Sequence, residues 1–201
     1  MLIVGLTGGI GSGKSTVAKL FNQLNIPIYY TDDEAKKIMI TSKIIQRKLM
    51  QKFGEDIYKK GVLNKAYLAS LIFTDKTNLK YVNSVVHPKV NQHFKRWVKR
   101  QKKETKSKYV MQENAILFEN GSNAYCDYVI TVTAPKEIKI ERVMKRDHTT
   151  KQKIEERMNN QWADSLKIEK SDFVIHNIGL EKTKKEVLTI HDNLIKLIKK
   201  R

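Results

Sequence analysis

Residues 2–6, Leu-Ile-Val-Gly-Leu, form a short apolar run without alternation that ends at Thr7-Gly8-Gly9. Such a run suits a strand buried on both faces of a parallel sheet. Beyond the glycines, Val17, Leu20, Phe21 and Leu24 recur at helical spacing, so strand, glycine loop and helix follow in order. Four further apolar runs predict strands: Ile26 to Thr31, Tyr109 to Glu113, Tyr128 to Val132 and Phe173 to His176. Helical segments separate them. This alternation predicts an α/β fold with a doubly wound sheet, mostly or wholly parallel.

Between about 33 and 104 the periodicity is helical only, interrupted at Gly54, Gly61 and His87-Pro88. The reading is a helical insertion without strands. Asn64 is placed to cap a helix running to Phe73, Asp75 a second running to Val86, and Pro88 opens a third towards Lys103. A polar helical stretch, 136–168, falls between the fourth and fifth strands, where a lid belongs. The domain reading is therefore a nucleotide-binding core of 1–32, 105–135 and 169–201, a helical acceptor-binding insertion of 33–104, and a lid of 136–168.

Charge changes the picture less than its size suggests. Lys+Arg number 39 against 21 Asp+Glu, a formal net charge of +18, which raises nucleic acid, membrane or a small polyanion as partner. Only seven of the basic residues are arginine, and much of the lysine excess is spread singly along helical stretches, the pattern of a solvated surface. No aromatic residues interleave with the basic runs as in a stacking platform, so no specific nucleic-acid partner is expected. Cys126 is the one cysteine, which excludes an internal disulfide and suits a reducing compartment. The apolar start lacks a basic flank and is cut short by glycines, so neither signal segment nor membrane span is expected, and the setting is cytoplasmic.

The chemistry starts at the glycines. Gly8 to Ser15, Gly-Gly-Ile-Gly-Ser-Gly-Lys-Ser, matches G-x-x-x-x-G-K-[ST], and it lies between a predicted strand and a predicted helix. Glycines let the backbone curl so that N–H groups face phosphate oxygens, and the following helix adds its positive end. Gly8, Gly11, Ser12, Gly13, Lys14, Ser15 and Thr16 are the expected ATP contacts; Lys14 supplies a point charge for the β and γ phosphates, and Ser15 a hydroxyl for Mg²⁺. The fold is then of the P-loop NTPase type. A guanine-reading Asn-Lys-x-Asp is absent, and the length favours a small-molecule kinase over a nucleic-acid motor.

Three further segments, with the loop and its Thr7-Gly8-Gly9 lead-in, resemble the dephospho-CoA kinase family. Tyr30-Thr31-Asp32-Asp33-Glu34-Ala35-Lys36 is similar to the family's Asp-Ala-Asp-x-x-Ala-Arg, with Asp32 on the second Asp, Tyr30 replacing the first, and Lys36 replacing Arg. Val86-His87-Pro88 resembles the His-Pro of the family's acceptor-binding domain. Asn114-Ala115-Ile116-Leu117-Phe118-Glu119 resembles Val-Pro-Leu-Leu-Phe-Glu, with Ala115 in place of Pro. The lid spacing Arg142-Val-Met-Lys-Arg146-Asp147 with Arg157-Met-x-x-Gln161, and Asp172-Phe-Val-Ile-His-Asn177-x-Gly179 after the last strand, extend the resemblance along the chain.

The resemblance implies phosphoryl transfer from ATP to the ribose 3′-hydroxyl of dephospho-CoA, the last step of coenzyme A synthesis, with Mg²⁺, ATP and dephospho-CoA as ligands. No obligate protein partner is implied. Asp32, after the second strand, orients or deprotonates the hydroxyl; the competing reading makes it a cap for a helix beginning at Asp33. His87 and Glu119 are acceptor contacts by resemblance, and His87 is otherwise structural. Glu113 closes a strand where an acid helps hold Mg²⁺ through water; its plain alternative is a strand-end charge. Arg142, Arg146 and Arg157, retained in a lysine-rich chain, suit planar clamping of phosphoryl oxygens, against solvated helix charge. Thr149-x-x-Gln152 is a capping box for a helix carrying Arg157 and Gln161 on one face. Asn177 lies in the loop beside the adenine, as a base reader or as a turn residue. A nucleoside or nucleotide kinase on the same core, and a P-loop nucleic-acid-binding protein, are the rival readings.

Overall fold

A computed structural model describes residues 1–200, apart from the side chain of Phe73. From the N-terminus run β1 (Leu2–Thr7), α1 (Lys14–Gln23), β2 (Ile28–Tyr30), α2 (Thr31–Thr41), α3 (Lys43–Phe53), a 3-10 turn (Glu55–Ile57), β3 (Tyr58–Lys59), β4 (Val62–Leu63), α4 (Lys65–Thr74) and α5 (Lys76–Glu104). They continue as β5 (Tyr109–Glu113), a 3-10 turn (Ser122–Tyr125), β6 (Tyr128–Thr133), α6 (Lys136–Asp147), α7 (Lys151–Asn159), α8 (Asp164–Glu169), β7 (Phe173–His176) and α9 (Leu180–Lys199). The chain divides into two compact units, Met1–Tyr29 with Gln101–Arg201, and Tyr30–Arg100. The boundary at Tyr30 groups Asp32 with the helical unit.

The first unit is built on a five-stranded sheet in the order β2-β5-β1-β6-β7. Its strands are the five apolar runs of the sequence. β1 pairs in parallel with β5 from Leu2↔Tyr109 to Leu6↔Glu113, and with β6 from Val4↔Tyr128 to Thr7↔Thr131; β6 pairs in parallel with β7. The near-continuous apolar character of β1, β5 and β6 follows from burial on both faces. Strand order runs outward on one side of β1 to β2 and on the other to β7, so β1 is the switch point where ligands bind beyond the carboxyl ends. The glycine loop follows β1 directly.

The helices cover this sheet through stripes the sequence carries. α1 buries Val17, Ala18 and Phe21, and α9 buries Thr183, Val187, Ile190 and Leu194 at spacings of three and four. Full burial of a Leu, Val, Ile or Phe side chain contributes about 1.5–3 kcal/mol each. These stripes fix which way each helix faces.

The helical unit packs Ile45 and Leu49 of α3 and Ile57 in its core, with Val82, Val85, Val86, Val90 and Phe94 buried along α5. Tyrosine hydroxyls tie its pieces to carbonyls: Tyr58 to Met39 at 2.7 Å, Tyr81 to Lys48 at 3.1 Å and Tyr67 to Phe53 at 3.3 Å. Asn64 caps α4, accepting from the Tyr67 N–H at 3.2 Å as expected. Two expectations are corrected here. The insertion does hold strands, the hairpin β3–β4, turned by Lys60 and Gly61 at φ 51° and 77°; two-residue strands are too short to show a period. The predicted second and third helices are one, α5, with His87 and Pro88 inside it. Proline removes one N–H there, and the buried stripe on either side keeps the helix running.

The lid stretch resolves into α6, α7 and α8. The cap of α7 is Thr150, which accepts from the Lys153 N–H at 3.4 Å, one residue beyond the expected Thr149; Gln152 bonds Glu156 instead. Gln161 lies just past the helix and not on its face, its N–H on Met158 O at 3.0 Å. No helix among the described residues is long and apolar enough to cross a membrane. Cys126 is partly buried against Leu117, Phe118 and Val129, and burial followed by the nearby Asp127 charge pushes its thiol up to about 12.

A fully buried lysine ties α8 to the loop after β5. Lys167 Nζ donates to Ala115 O and meets Glu119 Oε1, both at 2.8 Å, and the Trp162 N–H donates to the same Glu119 oxygen at 2.9 Å. The Phe118 and Trp162 rings stack beside it, 6.0 Å apart. Removing one partner of a buried pair strands the other charge, at a cost of about 3–5 kcal/mol. Lys167→Met is expected to destabilise the protein by that order, and Lys167→Met with Glu119→Leu by clearly less than the sum of the singles. Urea unfolding of the four proteins measures this, and additive losses would refute the coupling.

Candidate active site

The loop Gly8–Ser15 closes on itself with the Ser12 N–H donating to Gly9 O at 3.1 Å, and α1 starts from Gly13 with no side chain capping it. An uncapped helix start leaves its N–H groups and positive dipole end for a ligand. Lys14 Nζ donates to Gly8 O at 2.9 Å, folding the ammonium back across its own loop. Ser15 and Thr16 are exposed in the first turn, and Ser12 is buried, its Oγ without a hydrogen-bond partner.

Three outside segments hold this loop. Asn177, after β7, donates from Nδ2 to Ser12 O at 2.9 Å and accepts on Oδ1 from the Thr183 hydroxyl at 3.0 Å. A Cβ at Gly13 would collide with that amide, and Gly13 sits at φ 88°, so only glycine suits the position. Gln161 accepts the Ile10 N–H at 2.9 Å. Asp164 lies against Gly9, 2.7 Å from where a Cβ would stand, and its Oδ2 takes the Thr133 hydroxyl at 2.6 Å and Lys139 Nζ at 2.8 Å. Ile10 itself packs on Ile140, Val143 and Ile154.

The three lid arginines do not share one partner. Arg142 donates to Asn177 O at 2.9 Å and Ile178 O at 3.3 Å, on the loop after β7. Arg146 grips Asp147 with both sides of its fork, at 2.6 and 3.0 Å, and Arg157 reaches the same carboxylate at 2.9 Å. Hydrogen bonds from Arg146 and then Arg157 hold the Asp147 carboxyl well below the usual carboxylate range. Both forks are exposed, so an anion with more charge than one carboxylate has access to them.

On the sheet, Glu113 is buried at the end of β5, paired in register with Leu6 next to the loop. Asn114 follows; its N–H donates to Leu6 O, and its Oδ1 accepts from the Ile116 N–H, both at 3.0 Å. Asn114 therefore makes the turn where the resembled family has its Val-Pro. Glu119, expected on the acceptor, is placed in the pair with Lys167.

In the helical unit, α2 starts at Thr31 with Tyr30 at its cap position, and no side chain caps it. The capping alternative for Asp32 is thereby corrected: Asp32 lies in the first turn, exposed, among Asp33 and Glu34 that favour the helix dipole. Asp33 pairs with Lys36 at 3.1 Å and Glu34 with Lys37 at 2.7 Å; Asp32 has no such partner among the described residues. His87 is half-buried in α5, and burial lowers its pKa, keeping the ring neutral at pH 7.

Sequence reasoning missed Asp147, Lys139, Asp164 and Lys167, and it gave Gln161 no role of its own. The Arg146-Asp147 adjacency was a visible signal for the first. The others meet partners more than 20 residues away, which no period reports.

The family model and the curated relatives agree on one family. The profile described as CoaE, dephospho-CoA kinase, matches residues 2–182. A dephospho-CoA kinase of Bacteroides fragilis is 38% identical over 176 residues, covering 88% of this chain and 84% of the relative. Among solved structures, the chain is similar to TT1252 from Thermus thermophilus, with TM-score 0.84 and 30% identity over 94% of this chain and 95% of that one. It is also similar to the dephospho-CoA kinase from Campylobacter jejuni, with TM-score 0.72 and 25% identity over 96% and 97%.

Both ends of the Asn177 amide are engaged, so its loop-holding role makes a prediction separate from base reading. Asn177→Ala leaves the Ser12 carbonyl without its donor, a loss of about 1–3 kcal/mol. The expected result is a lower thermal midpoint and ATP and GTP affinities reduced by the same factor. Calorimetric titration of both nucleotides checks this; a selective loss of ATP binding at unchanged stability would make Asn177 a base reader.

Proposed function

The chain belongs to the dephospho-CoA kinase family, and from that membership we propose how its own residues divide the work. It is a kinase of the final step of coenzyme A synthesis, and it phosphorylates the ribose 3′-hydroxyl of dephospho-CoA with ATP, releasing ADP. The observation that carries our reading is the uncapped start of α1 behind a glycine loop at the carboxyl end of the central strand. That arrangement is an anion site for the β and γ phosphates.

In this proposal Gly8, Gly11, Ser12, Gly13, Ser15 and Thr16 form the phosphate cradle, and Lys14 supplies the mobile charge. A phosphate oxygen is a stronger partner for the ammonium than the Gly8 carbonyl it donates to, because that hydrogen bond is then charge-assisted on both sides. Arg146 and Arg157 exchange Asp147 for phosphoryl oxygens, and their planar forks suit the charge spread over the transferring group. Arg142, bonded to the loop after β7, is assigned to the adenine end of ATP and not to the phosphoryl group.

The family uses ATP, generally with a divalent metal, and we assign Mg²⁺. The donor set fits a hard ion: the Ser15 hydroxyl at the start of α1 and the Glu113 carboxylate at the end of the neighbouring strand are both oxygen donors. Ser15 and Glu113 would hold the ion, which would supply neutralisation of the phosphate charge. Asp32, exposed in the first turn of α2, orients the acceptor hydroxyl and takes its proton, with half-buried, neutral His87 as an acceptor contact in the same unit. Glu119 is left out of the acceptor contacts, since its carboxylate neutralises Lys167. A cytoplasmic setting completes the proposal, resting on the lone cysteine and on two polar, phosphorylated substrates.

ADP release measured with and without dephospho-CoA tests the activity, and equal rates would overturn it. Lys14→Ala is expected to fold normally and lose most phosphoryl transfer. Asp32→Asn keeps size and removes the base, so kcat is expected to fall by roughly 10²-fold with little change in KM for ATP, while Asp33→Asn stays near wild type. If Asp33→Asn were the inactive variant, the base would be misassigned by one residue.

A further inference from the structure

The contact between Gln161 and the loop tip is a feature of the lid that the division of labour above does not use. In a phosphate cradle the backbone N–H groups face the anion. The Ile10 N–H does not do so here, because Gln161 Oε1 accepts it at 2.9 Å. A carboxamide has one accepting end and one donating end, so spending the oxygen on Ile10 fixes where the Nε2 hydrogens lie. Nε2 has no partner among the described residues, and the side chain is only partly buried.

The backbone that carries this amide is held at several points. Gln161 N–H bonds Met158 O at 3.0 Å, which anchors it to the end of α7. Met158 packs beside Ile10 on the Ile140–Val143–Ile154 cluster. Three residues on, Asp164 rests against Gly9 and is itself held by Thr133 and Lys139. Arg157 lies four residues earlier, in the last turn of α7. The chain is therefore tied to the loop tip at both Gln161 and Asp164, and an amide so held loses little freedom when a ligand arrives.

We propose that Gln161 is a catalytic residue of the transfer: its Oε1 occupies the Ile10 N–H so that its Nε2 donates to an oxygen of the terminal phosphoryl group of ATP. The side chain thus extends the donor set of the loop beyond its backbone, at the end where charge is redistributed in the transition state. This rests on the phosphoryl-transfer reading above and names a further donor within it. A plain latch, holding the loop and touching no ligand, is the competing role.

Glutamate separates the two, because it accepts the Ile10 N–H as well as glutamine but brings no donor and adds negative charge. Steady-state kinetics with ATP and dephospho-CoA are run on wild type, Lys14→Ala, Gln161→Ala and Gln161→Glu, with thermal midpoints recorded for each. The expected result is a kcat loss of ~10²-fold or more for Gln161→Ala, the typical effect of deleting one transition-state donor. Gln161→Glu is expected to be at least as slow, with KM for ATP within a few-fold in Gln161→Ala. Wild-type kcat in Gln161→Glu reduces Gln161 to a latch and overturns the proposal, as does wild-type kcat in Gln161→Ala or a rise in KM alone. If Gln161→Ala fails to fold, Gln161→Glu decides the matter. A wild-type enzyme without dephospho-CoA-dependent ADP release would instead sink the functional reading, whereas an inactive Lys14→Ala beside active Gln161 variants sinks only this inference.

Discussion

A loop with four glycines in eight residues has no conformational preference strong enough to hold a phosphate cradle open, and everything around the site serves to hold it. The restraint comes from polar contacts made by distant segments: Asn177 on Ser12, Gln161 on Ile10, Asp164 against Gly9. Each of those residues is held in turn by a partner in the sheet or lid, Thr183 for Asn177 and Thr133 with Lys139 for Asp164. The entropy of the glycine loop is thus offset by a shell whose own positions are set by packing.

The same logic explains how charge is arranged. Cations needed for an anionic ligand repel one another when it is absent. Here Arg146 and Arg157 are drawn together on Asp147, and Lys139 is matched by Asp164 beside the loop. Lys167, wholly buried, is matched by Glu119, which fixes the loop after β5 where Glu113 and Asn114 leave the sheet. The net charge of +18 is a property of the lysine-rich chain as a whole, while Arg146, Arg157, Lys139 and Lys167 each face a carboxylate.

The elements were largely legible because burial imposes a period. The five strands of the sheet coincide with apolar runs, and the stripes of α1 and α9 mark their buried faces. Legibility failed where an element was too short or a local rule was outweighed. The β3–β4 hairpin has two residues per strand, and Pro88 sits inside a helix that its flanking valines keep in place. The cap of α7 moved by one because two adjacent threonines are chemically equal and only the helix's position chooses between them.

The α/β class, the phosphate loop with Lys14 and Ser15, and the resemblance that led to the family were all readable along the chain, because these are local patterns in which neighbouring residues act together. It took the folded chain to show that Asn177 spends its amide on the loop, that Arg142 parts company with Arg146 and Arg157, that Asp32 is not a cap, and that Gln161 meets Ile10. The Asn177 and Gln161 contacts join residues more than 150 positions apart. Hydrogen bonds of a few ångströms between such residues depend on where the sheet places each loop, and no local period encodes that placement.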